Sequence, residues 1–262
     1  HQEGYEFNGW RIVPADRVTE NVEYVATWKE KEYNIVYTLD GGELGTGNDG
    51  NKLENPDKYT ISTETFTLNN PSKKGYEFKG WTGTDLNSES KNVTIEKGST
   101  GNRAYVANWE VIDYTITYEL NGGTLGNDES GNKITNPTKY NVETPTFSLN
   151  NPVKTGYTFT GWTGTDLTNE TKLVIVENGS IGNRSYEANW EANTNVEYHV
   201  QYYLEKLESN DSSNKNNYEL KIDETEFGVT DEKVTAEIKN FKGFKSDSVH
   251  YNKATSINIF NY

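Results

Sequence analysis

Apolar side chains recur at every second position in three stretches of the chain, which begin at Tyr33, Tyr114 and Tyr198. A period of two is typical of a β-strand with one buried face. The first two stretches end in Asp-Gly-Gly at 40–42 and Asn-Gly-Gly at 121–123. These residues predict tight turns with positive φ, because glycine and asparagine adopt that backbone conformation readily.

Further short strands are predicted downstream of the first stretch. In order, they are TFTL at 65–68 with Phe66 and Leu68 inward, GYEFKGW at 75–81, an apolar segment at 93–95, and a closing strand with Tyr105, Ala107 and Trp109 on one side. No 11-residue window has helical periodicity, and at most a short helix or turn fits around 69–80 and 150–161. The pattern therefore predicts a mainly β fold, α+β at most.

The same order of elements occurs twice. Residues 33–109 align with 114–190 at an offset of 81, with 46 of 77 positions identical. The motif GYxFxGW stands at 4–10, 75–81 and 156–162, and the six tryptophans fall at matching places: Trp10, Trp81 and Trp162, then Trp28, Trp109 and Trp190. We predict four parts: the back half of a repeat (1–30), two complete repeats (31–111 and 112–192), and a diverged β module (193–262) in which FKGF at 241–244 replaces GYxFxGW.

The combined motifs carry a family resemblance. YxIxYxLxGG at 33–42, NPxKxGYxFxGW at 70–81, TGTDL at 82–86 and GNRxYxAxW at 101–109, with their partners 81 residues on, resemble the internalin-type B repeat, or Listeria–Bacteroides repeat, over residues 1–192. The resemblance implies a β-grasp-like module strung in tandem on secreted or wall-anchored bacterial surface proteins, with no catalytic residues to carry over. Residues 198–207 with 234–244 resemble a mucin-binding-type repeat.

Two departures from the family pattern stand out. The polar loops 45–60 and 126–141 are longer than in the briefest members, and the first unit lacks its opening strand.

Composition narrows the classes of function. Hydrophobic residues are only 32% and aromatics 13% of the chain, so small cores built on aromatic rings are favoured over one large core. A net charge of −15 argues against nucleic acid and anionic membrane as partners, because phosphates require Lys/Arg clusters. There is no Cys, no long apolar run and no Met, and the chain opens HQEG, so we expect an excised or processed piece without a membrane-inserted segment.

Candidate chemistry is sparse. The histidines are His1, His199 on an outward strand face, and His250, and no Ser-His-Asp arrangement is discernible, so we predict no catalytic site and no enzyme activity. Oxygen-rich loops of the kind at 45–60 and 126–141 can hold Ca²⁺, but Asp49 aligns with Ser130 and Gly47 with Asp128, so we interpret them as solvated loops without metal or cofactor.

Two repeated features leave alternatives open. Asp85 and Arg103, with Asp166 and Arg184, are interpreted as turn residues, and a charged pair or a polar ligand contact is the alternative. The rings of the GYxFxGW motif are interpreted as core residues and its glycines as residues of a tight turn. The alternative is that the rings are exposed and stack on sugars. Which residues bind a ligand is not predicted.

The leading functional hypothesis is an extracellular stalk or adhesive segment on a bacterial surface, monomeric and arranged as an elongated rod. Two alternatives are a module that binds a host glycan or host protein, and an accessory segment of a large secreted enzyme whose catalytic domain lies outside these residues. Short links at 110–113 and 191–197 and distributed negative charge favour the rod.

Overall fold

The computed structural model describes residues 2–12, 17, 19–206 and 217–244. Within these residues it has sixteen β-strands and no α-helix, which confirms the predicted mainly β class. The short helix that the sequence allowed around 69–80 and 150–161 is instead a turn followed by a strand.

The strands follow one another in chain order. They are β1 Tyr5–Trp10, β2 Ala26–Glu30, β3 Tyr33–Thr38, β4 Lys58–Tyr59, β5 Phe66–Thr67, β6 Tyr76–Gly83, β7 Thr94–Ile95, β8 Arg103–Val111, β9 Tyr114–Glu119, β10 Lys139–Tyr140, β11 Phe147–Ser148, β12 Tyr157–Gly164, β13 Ile175–Val176, β14 Arg184–Ala192, β15 Val196–Glu205 and β16 Tyr218–Gly228.

The chain divides into two compact units. Unit 1 comprises His1–Tyr114, Asn141–Thr144 and Asn178–Ile181, and unit 2 comprises Thr115–Tyr140, Pro145–Glu177 and Gly182–Tyr262. Unit 1 therefore includes two short segments that the sequence places in the second repeat.

Unit 1 is built around a mixed four-stranded sheet in the order β4-β3-β8-β6. Its central pair, β3 and β8, is parallel, with Ile35 opposite Arg103 and Thr38 opposite Val106. Parallel strands need a long crossover connection, and the segment that carries β4 to β7 supplies it. On the other edge β6 pairs antiparallel with β8, with a bulge between Phe78 and Gly80. Unit 1 also contains the two-stranded sheets β1-β2 and β5-β7.

The predicted turn after β3 is confirmed. Asp40 and Gly41 have φ values of 48° and 81°, and Asn121 and Gly122 repeat them at 50° and 83°. Positive φ at two successive residues explains why Asp-Gly and Asn-Gly stand here.

The core of the first complete repeat is small and aromatic. Its buried members are Ile35, Tyr59, Leu68, Trp81, Val93, Ile95, Tyr105 and Ala107. The residues 81 positions further on, Ile116, Tyr140, Leu149, Trp162, Val174, Val176, Tyr186 and Ala188, are buried as well. Large rings let a module of this size bury enough apolar area to hold one conformation.

Unit 2 repeats the first architecture and adds a hairpin-like pair. Its four-stranded sheet has the order β10-β9-β14-β12, with β9 and β14 parallel. The strand pair β15-β16 is antiparallel from Val196↔Gly228 to Glu205↔Tyr218. This long antiparallel pairing differs from the two-residue pairing of β3 with β4. His1 and His250 lie outside the described residues.

Candidate functional site

The tryptophans of the GYxFxGW motif in the two complete repeats are fully enclosed. Trp81 and Trp162 are each 0% exposed. The ring of Trp81 makes edge contacts with Phe78 and Tyr37 at centroid distances of 5.6 and 5.9 Å, and its Nε1–H donates to Asn70 Oδ1 at 3.0 Å. A sugar therefore has no access to these two rings, which act as core residues.

A second group of aromatic and polar side chains lies around Trp109. Its Nε1–H donates to the Leu39 carbonyl at 3.1 Å. The Lys73 ammonium lies 4.2 Å from the ring centroid of Tyr76 and donates to the Asp40 carbonyl at 2.9 Å. An open depression of about 550 Å³ within unit 1 is lined by Asp40, Lys73, Tyr76 and Trp109, together with Thr38, Asn108 and Glu143. Its lining is largely polar, unlike the mostly apolar lining of typical small-molecule pockets.

The Gly-Tyr pair that begins the motif makes a close contact in unit 1. A Cβ on Gly75 would lie 2.0 Å from Val142 Cγ1, so only glycine leaves room for this valine. The Tyr76 hydroxyl donates to Glu143 Oε1 at 2.6 Å, and the Ile112 N–H donates to the Gly75 carbonyl at 2.9 Å. We call Gly75-Tyr76 and its counterparts Gly4-Tyr5 and Gly156-Tyr157 the Gly-Tyr seat.

Each Gly-Tyr seat receives a residue from a later part of the chain. Within unit 1 a Cβ on Gly4 would lie 2.5 Å from Ile61 Cδ1, and Ile61 aligns with Val142. Within unit 2 a Cβ on Gly156 would lie 2.8 Å from Thr230 Cγ2, and the Thr230 hydroxyl donates to the Gly156 carbonyl at 2.5 Å.

The tyrosine of the seat makes a polar contact in two of the three cases. Tyr157 donates to Asp231 as Tyr76 does to Glu143. Both hydrogen bonds raise the pKa of the tyrosine above its ordinary value. Near Gly4, Ser62 donates instead to Glu30 Oε2 at 2.7 Å. Sequence reasoning missed the seat. The available signal was an apolar residue, Ile61 or Val142, in an otherwise polar loop.

The repeated Asp and Arg do form a charged pair. Arg103 Nη1 lies 2.7 Å from Asp85 Oδ2, and the distance between Arg184 and Asp166 is 2.8 Å. The Arg103 side chain is 11% exposed and Asp85 is 73% exposed. Arg103 Nε also donates to the hydroxyl of the core residue Tyr59 at 3.0 Å. The guanidinium therefore connects the turn at Asp85 with the core.

The turn interpretation of the aspartates is consistent with their backbone. Asp85 and Asp166 have φ values of 62° and 60°, a left-handed conformation that Asp tolerates better than most residues. Both interpretations of these positions therefore apply, a turn residue and one partner of an ion pair.

The polar loops keep the same turn with different residues. The Asn51 N–H donates to Asp49 Oδ1 at 3.0 Å, and the aligned Asn132 N–H donates to Asp128 Oδ1 at 2.8 Å. Asp49 and Asp128 do not align, yet both hold the asparagine. The Asn51 side chain lowers the pKa of Asp49, and the Asn132 backbone N–H lowers that of Asp128. Each of these carboxylates thus accepts hydrogen bonds within its own loop.

His199 lies on β15, opposite β16. Its Nδ1 is 2.8 Å from Asp223 Oδ1, and its Nε2 is 3.3 Å from Glu197 Oε1. The hydrogen bond to Asp223 raises the pKa of His199. Gln201 and then His199 lower the pKa of Asp223.

In the described part of the chain no three His, Asp or Glu side chains are grouped as metal ligands would be. None of the described segments is a helix with the length and apolarity needed to cross a membrane.

Comparison with known proteins identifies the class. The sequence model of the Listeria-Bacteroides repeat domain matches residues 33–107 and 114–179, more than half of the chain. The chain therefore belongs to the Listeria-Bacteroides repeat family. Proteins of this repeat family are in general non-catalytic.

Two proteins of Evansella cellulosilytica are similar to the chain. One, named "Putative Gly-rich membrane protein", is 27% identical over 95% of this chain and 27% of its own length. The other, named "Putative membrane protein", is 28% identical over 64% of this chain and 24% of its own length. The chain thus spans about a quarter of the length of these relatives.

Proposed function

We propose that the chain is a non-catalytic tandem-repeat segment of a bacterial surface or secreted protein, which acts as an extracellular stalk with adhesive capacity. The observation that supports this proposal most directly is the recurrence of the Gly-Tyr seat. A stalk requires successive repeats to be held in register, and a seat that is filled by a side chain from a later part of the chain supports this proposal.

The division of the chain into residues 1–30, 31–111, 112–192 and 193–262 is part of the proposal. So is the relation of the complete repeats to the β-grasp, for which the central parallel pair β3-β8 is the supporting feature. For the last part, we propose a mucin-binding-type repeat. Its first strand, β15, keeps the alternation Tyr198, Val200, Tyr202, and Val200 is buried.

A spin-label experiment tests the seat. The chain has no Cys, so labels can be placed cleanly at Ser88→Cys and Asn169→Cys, two exposed and aligned positions. The distance distribution between the labels should be narrow in the parent chain. Gly75→Ala should broaden it, because the new Cβ occupies the place of Val142.

Gly50→Ala is the matched control for this experiment. Gly50 has a φ of 79°, close to the 77° of Gly75, but a Cβ there meets nothing within 4 Å. It reproduces the backbone strain without the collision, so its distribution should stay narrow. A broad distribution in the parent chain, or equal widths in both variants, would refute the seat as the feature that orders the repeats.

We further propose an elongated arrangement, on the grounds of short links and the net charge of −15. Small-angle scattering should give a radius of gyration near 30 Å, against about 18 Å for one compact globule of this length. The smaller value would rule out the rod while leaving the repeat family membership untouched.

A second candidate function is binding of a host glycan or host protein. The observation that favours it is the exposure of Phe7, Trp10 and Trp28 in the partial repeat at 1–30. A glycan array probed with the chain, and with its Trp10→Ala variant, tests it: binding that the variant loses supports it, and a blank array favours the stalk.

The accessory-segment hypothesis concerns the parent protein rather than these residues. Because the chain spans about a quarter of its relatives, a catalytic domain elsewhere in such a protein is compatible with a non-catalytic segment here. Turnover of polysaccharide, peptide or ester substrates by the purified chain, abolished by one carboxylate substitution, would overturn the non-catalytic proposal.

A further inference from the structure

The depression beside Trp109 is where the two complete repeats differ in side chains that face the same place. Five of its lining residues, Lys73, Tyr76, Ala107, Asn108 and Trp109, are identical in the second repeat. Three are not, since Thr38, Asp40 and Val106 align with Glu119, Asn121 and Glu187. The comparison of the two copies therefore isolates what these three positions do.

In the second repeat a side chain of the repeat itself occupies this place. Asn121 Nδ2 donates to Glu187 Oε1 at 3.0 Å and to the Ala188 carbonyl at 3.0 Å. Asn121 has a φ of 50° and Asp40 has one of 48°, so both side chains leave the turn from the same backbone conformation. The second repeat thus shows that an N–H donor fits between this turn and the last strand of the repeat.

The first complete repeat keeps the acceptors but not this donor. Ala107 lines the depression, and the carboxylate of Asp40 has no N–H to donate to the Ala107 carbonyl. The Asp40 side chain is 74% exposed. In the place of Glu187 stands Val106, which is 41% exposed. The depression therefore presents a carboxylate and a backbone carbonyl next to an apolar side chain.

Charge decides which kind of donor fits best. Among the lining residues the carboxylates are Asp40 and Glu143, and the ammonium is Lys73. Glu143 Oε1 accepts from the Tyr76 hydroxyl at 2.6 Å, and Lys73 Nζ lies 3.9 Å from Asp40 Oδ2. Two carboxylates against one ammonium leave one negative charge uncompensated, which favours a cationic donor. A guanidinium carries five N–H donors in one plane, so it serves a carboxylate and a carbonyl together, whereas an ammonium is a compact point charge.

We infer that this depression binds the guanidinium group of an arginine side chain on a basic partner protein. The guanidinium donates to the Asp40 carboxylate and to the Ala107 carbonyl, and the aliphatic stem of the arginine packs on Val106. The net charge of −15 favours a basic partner, because opposite charge steers two proteins together. The site is separate from the exposed rings considered above for a glycan, and the inference goes beyond the stalk.

The test uses the full chain labelled with 5-fluorotryptophan, with the signals of Trp109 and Trp190 assigned by single Trp→Phe variants. The probe is N-acetyl-arginine amide, added at constant ionic strength. The Trp109 signal should shift and saturate, because Trp109 lines the depression. The Trp190 signal should not move, because Asn121 already occupies the corresponding place.

Two related probes separate a guanidinium site from general attraction of cations to an acidic chain. N-acetyl-citrulline amide keeps the shape of the side chain and removes its charge. It should bind at least about tenfold more weakly, the loss expected when a hydrogen bond to a charged group is weakened. N-acetyl-lysine amide keeps the charge without the planar fork, and should also bind more weakly than the arginine probe.

A closed variant is the first matched control. Asp40→Asn with Val106→Glu installs the residues of the second repeat, and should abolish the response of Trp109 to the probe. Both residue types are accommodated at the aligned positions, so the fold should be kept. An unchanged signal of the enclosed Trp81 verifies that it is.

An opened variant is the reciprocal control. Glu119→Thr, Asn121→Asp and Glu187→Val together install the residues of the first complete repeat in the second. In this variant Trp190 should acquire the response that Trp109 shows in the parent chain.

Four results would overturn the inference. They are an unchanged Trp109 signal at the solubility limit of the arginine probe, an equal shift of Trp190 in the parent chain, equal affinity for the lysine probe, and a full response in the closed variant. None of them bears on the stalk proposal, which depends on the Gly-Tyr seat.

Discussion

The heptapeptides GYEFNGW and GYEFKGW differ at one position, yet their tryptophans lie in opposite environments. Trp10, in the partial repeat at 1–30, is 45% exposed, and Trp81, in the first complete repeat, is enclosed, although both lie on the same kind of strand pair with the same register. The motif therefore determines strand and bulge but not burial. In the complete repeat the opening strand β3, which is distant along the chain, brings Tyr37 against Trp81.

The largest expected effect concerns these two tryptophans. Trp81→Ala should destabilise its repeat by about 3–5 kcal/mol, because a fully enclosed indole and its hydrogen bond to Asn70 are lost. Trp10→Ala should cost clearly less, because this side chain is 45% exposed and therefore has less transfer energy to lose. Denaturant unfolding of each variant measures the difference, and equal losses would show that the motif is stabilised locally.

The second expected effect concerns Arg103, which is present in the complete repeats but is replaced by Val22 in the partial repeat at 1–30. Arg103→Ala should cost about 2–3 kcal/mol, because the guanidinium is mostly buried and its loss leaves the hydroxyl of Tyr59 without this donor. Asp85→Asn should cost no more than about 0.5 kcal/mol, since an exposed ion pair contributes little. Asparagine also keeps the left-handed backbone of this position. Denaturant midpoints decide the order, and a reversal would mean that the ion pair, rather than the buried arginine, stabilises the turn.

The β15-β16 pair offers a comparison with β1-β2. The polar side chains of His199, Gln201 and Asp223 connect its strands, whereas in β1-β2 Phe7 and Trp28 meet edge to face. The pKa of His199 is raised by Asp223, so its stabilising contribution is complete below about pH 6.5, the ordinary pKa of histidine, and is lost as the pH rises through the raised value. Thermal unfolding of this pair, followed by amide NMR signals, should therefore occur at lower temperature at pH 8.5 than at pH 5.5.

His199→Gln is the control for this pH effect. Asp223, whose pKa is lowered, contributes in the opposite sense, because its stabilisation is lost as the pH falls through its depressed value. Both pH values lie above the ordinary pKa of aspartate, so Asp223 stays ionised throughout. In this variant the unfolding temperature of the pair should no longer differ between pH 5.5 and pH 8.5. If the difference persisted, a group other than His199 would be the one that titrates.

The smallest expected effect concerns the polar loops, where a double substitution should leave the melting temperature unchanged. Asp49→Ser alone should lower the melting temperature of the first complete repeat slightly, because Asn51 loses its acceptor. The double variant Gly47→Asp with Asp49→Ser installs the pattern of the second repeat, Asp128 with Ser130, and should restore the parent value. Failure to restore it would show that the two loops hold their turns by different means.

Local patterns were sufficient for much of this fold. The alternation from Tyr33, the positive-φ turn at Asp40 and the closing strand with Tyr105 and Ala107 inward are all present in the structure. Each depends on a few neighbouring residues, so a short window of sequence contains the information. The short strands at Phe66 and Thr94 were found for the same reason.

The candidate sites were harder to predict because they depend on pairs of distant residues. The sequence showed that Asp85 and Arg103 recur but left open whether they meet. It gave no reason to connect Gly75 with Val142, since glycine in a turn is explained by φ alone, and only the folded chain shows the valine in the space a Cβ would need.

By itself, the sequence determined the repeat of 81 residues, the strands, the turns and the set of rings available for a core, because periodicity and turn chemistry act over a few residues. Only the tertiary structure decided which rings are enclosed, which strand lies parallel to β8 and what fills each Gly-Tyr seat. Those outcomes depend on groups brought together from far along the chain, where exclusion of water and steric fit, rather than local preference, select the arrangement.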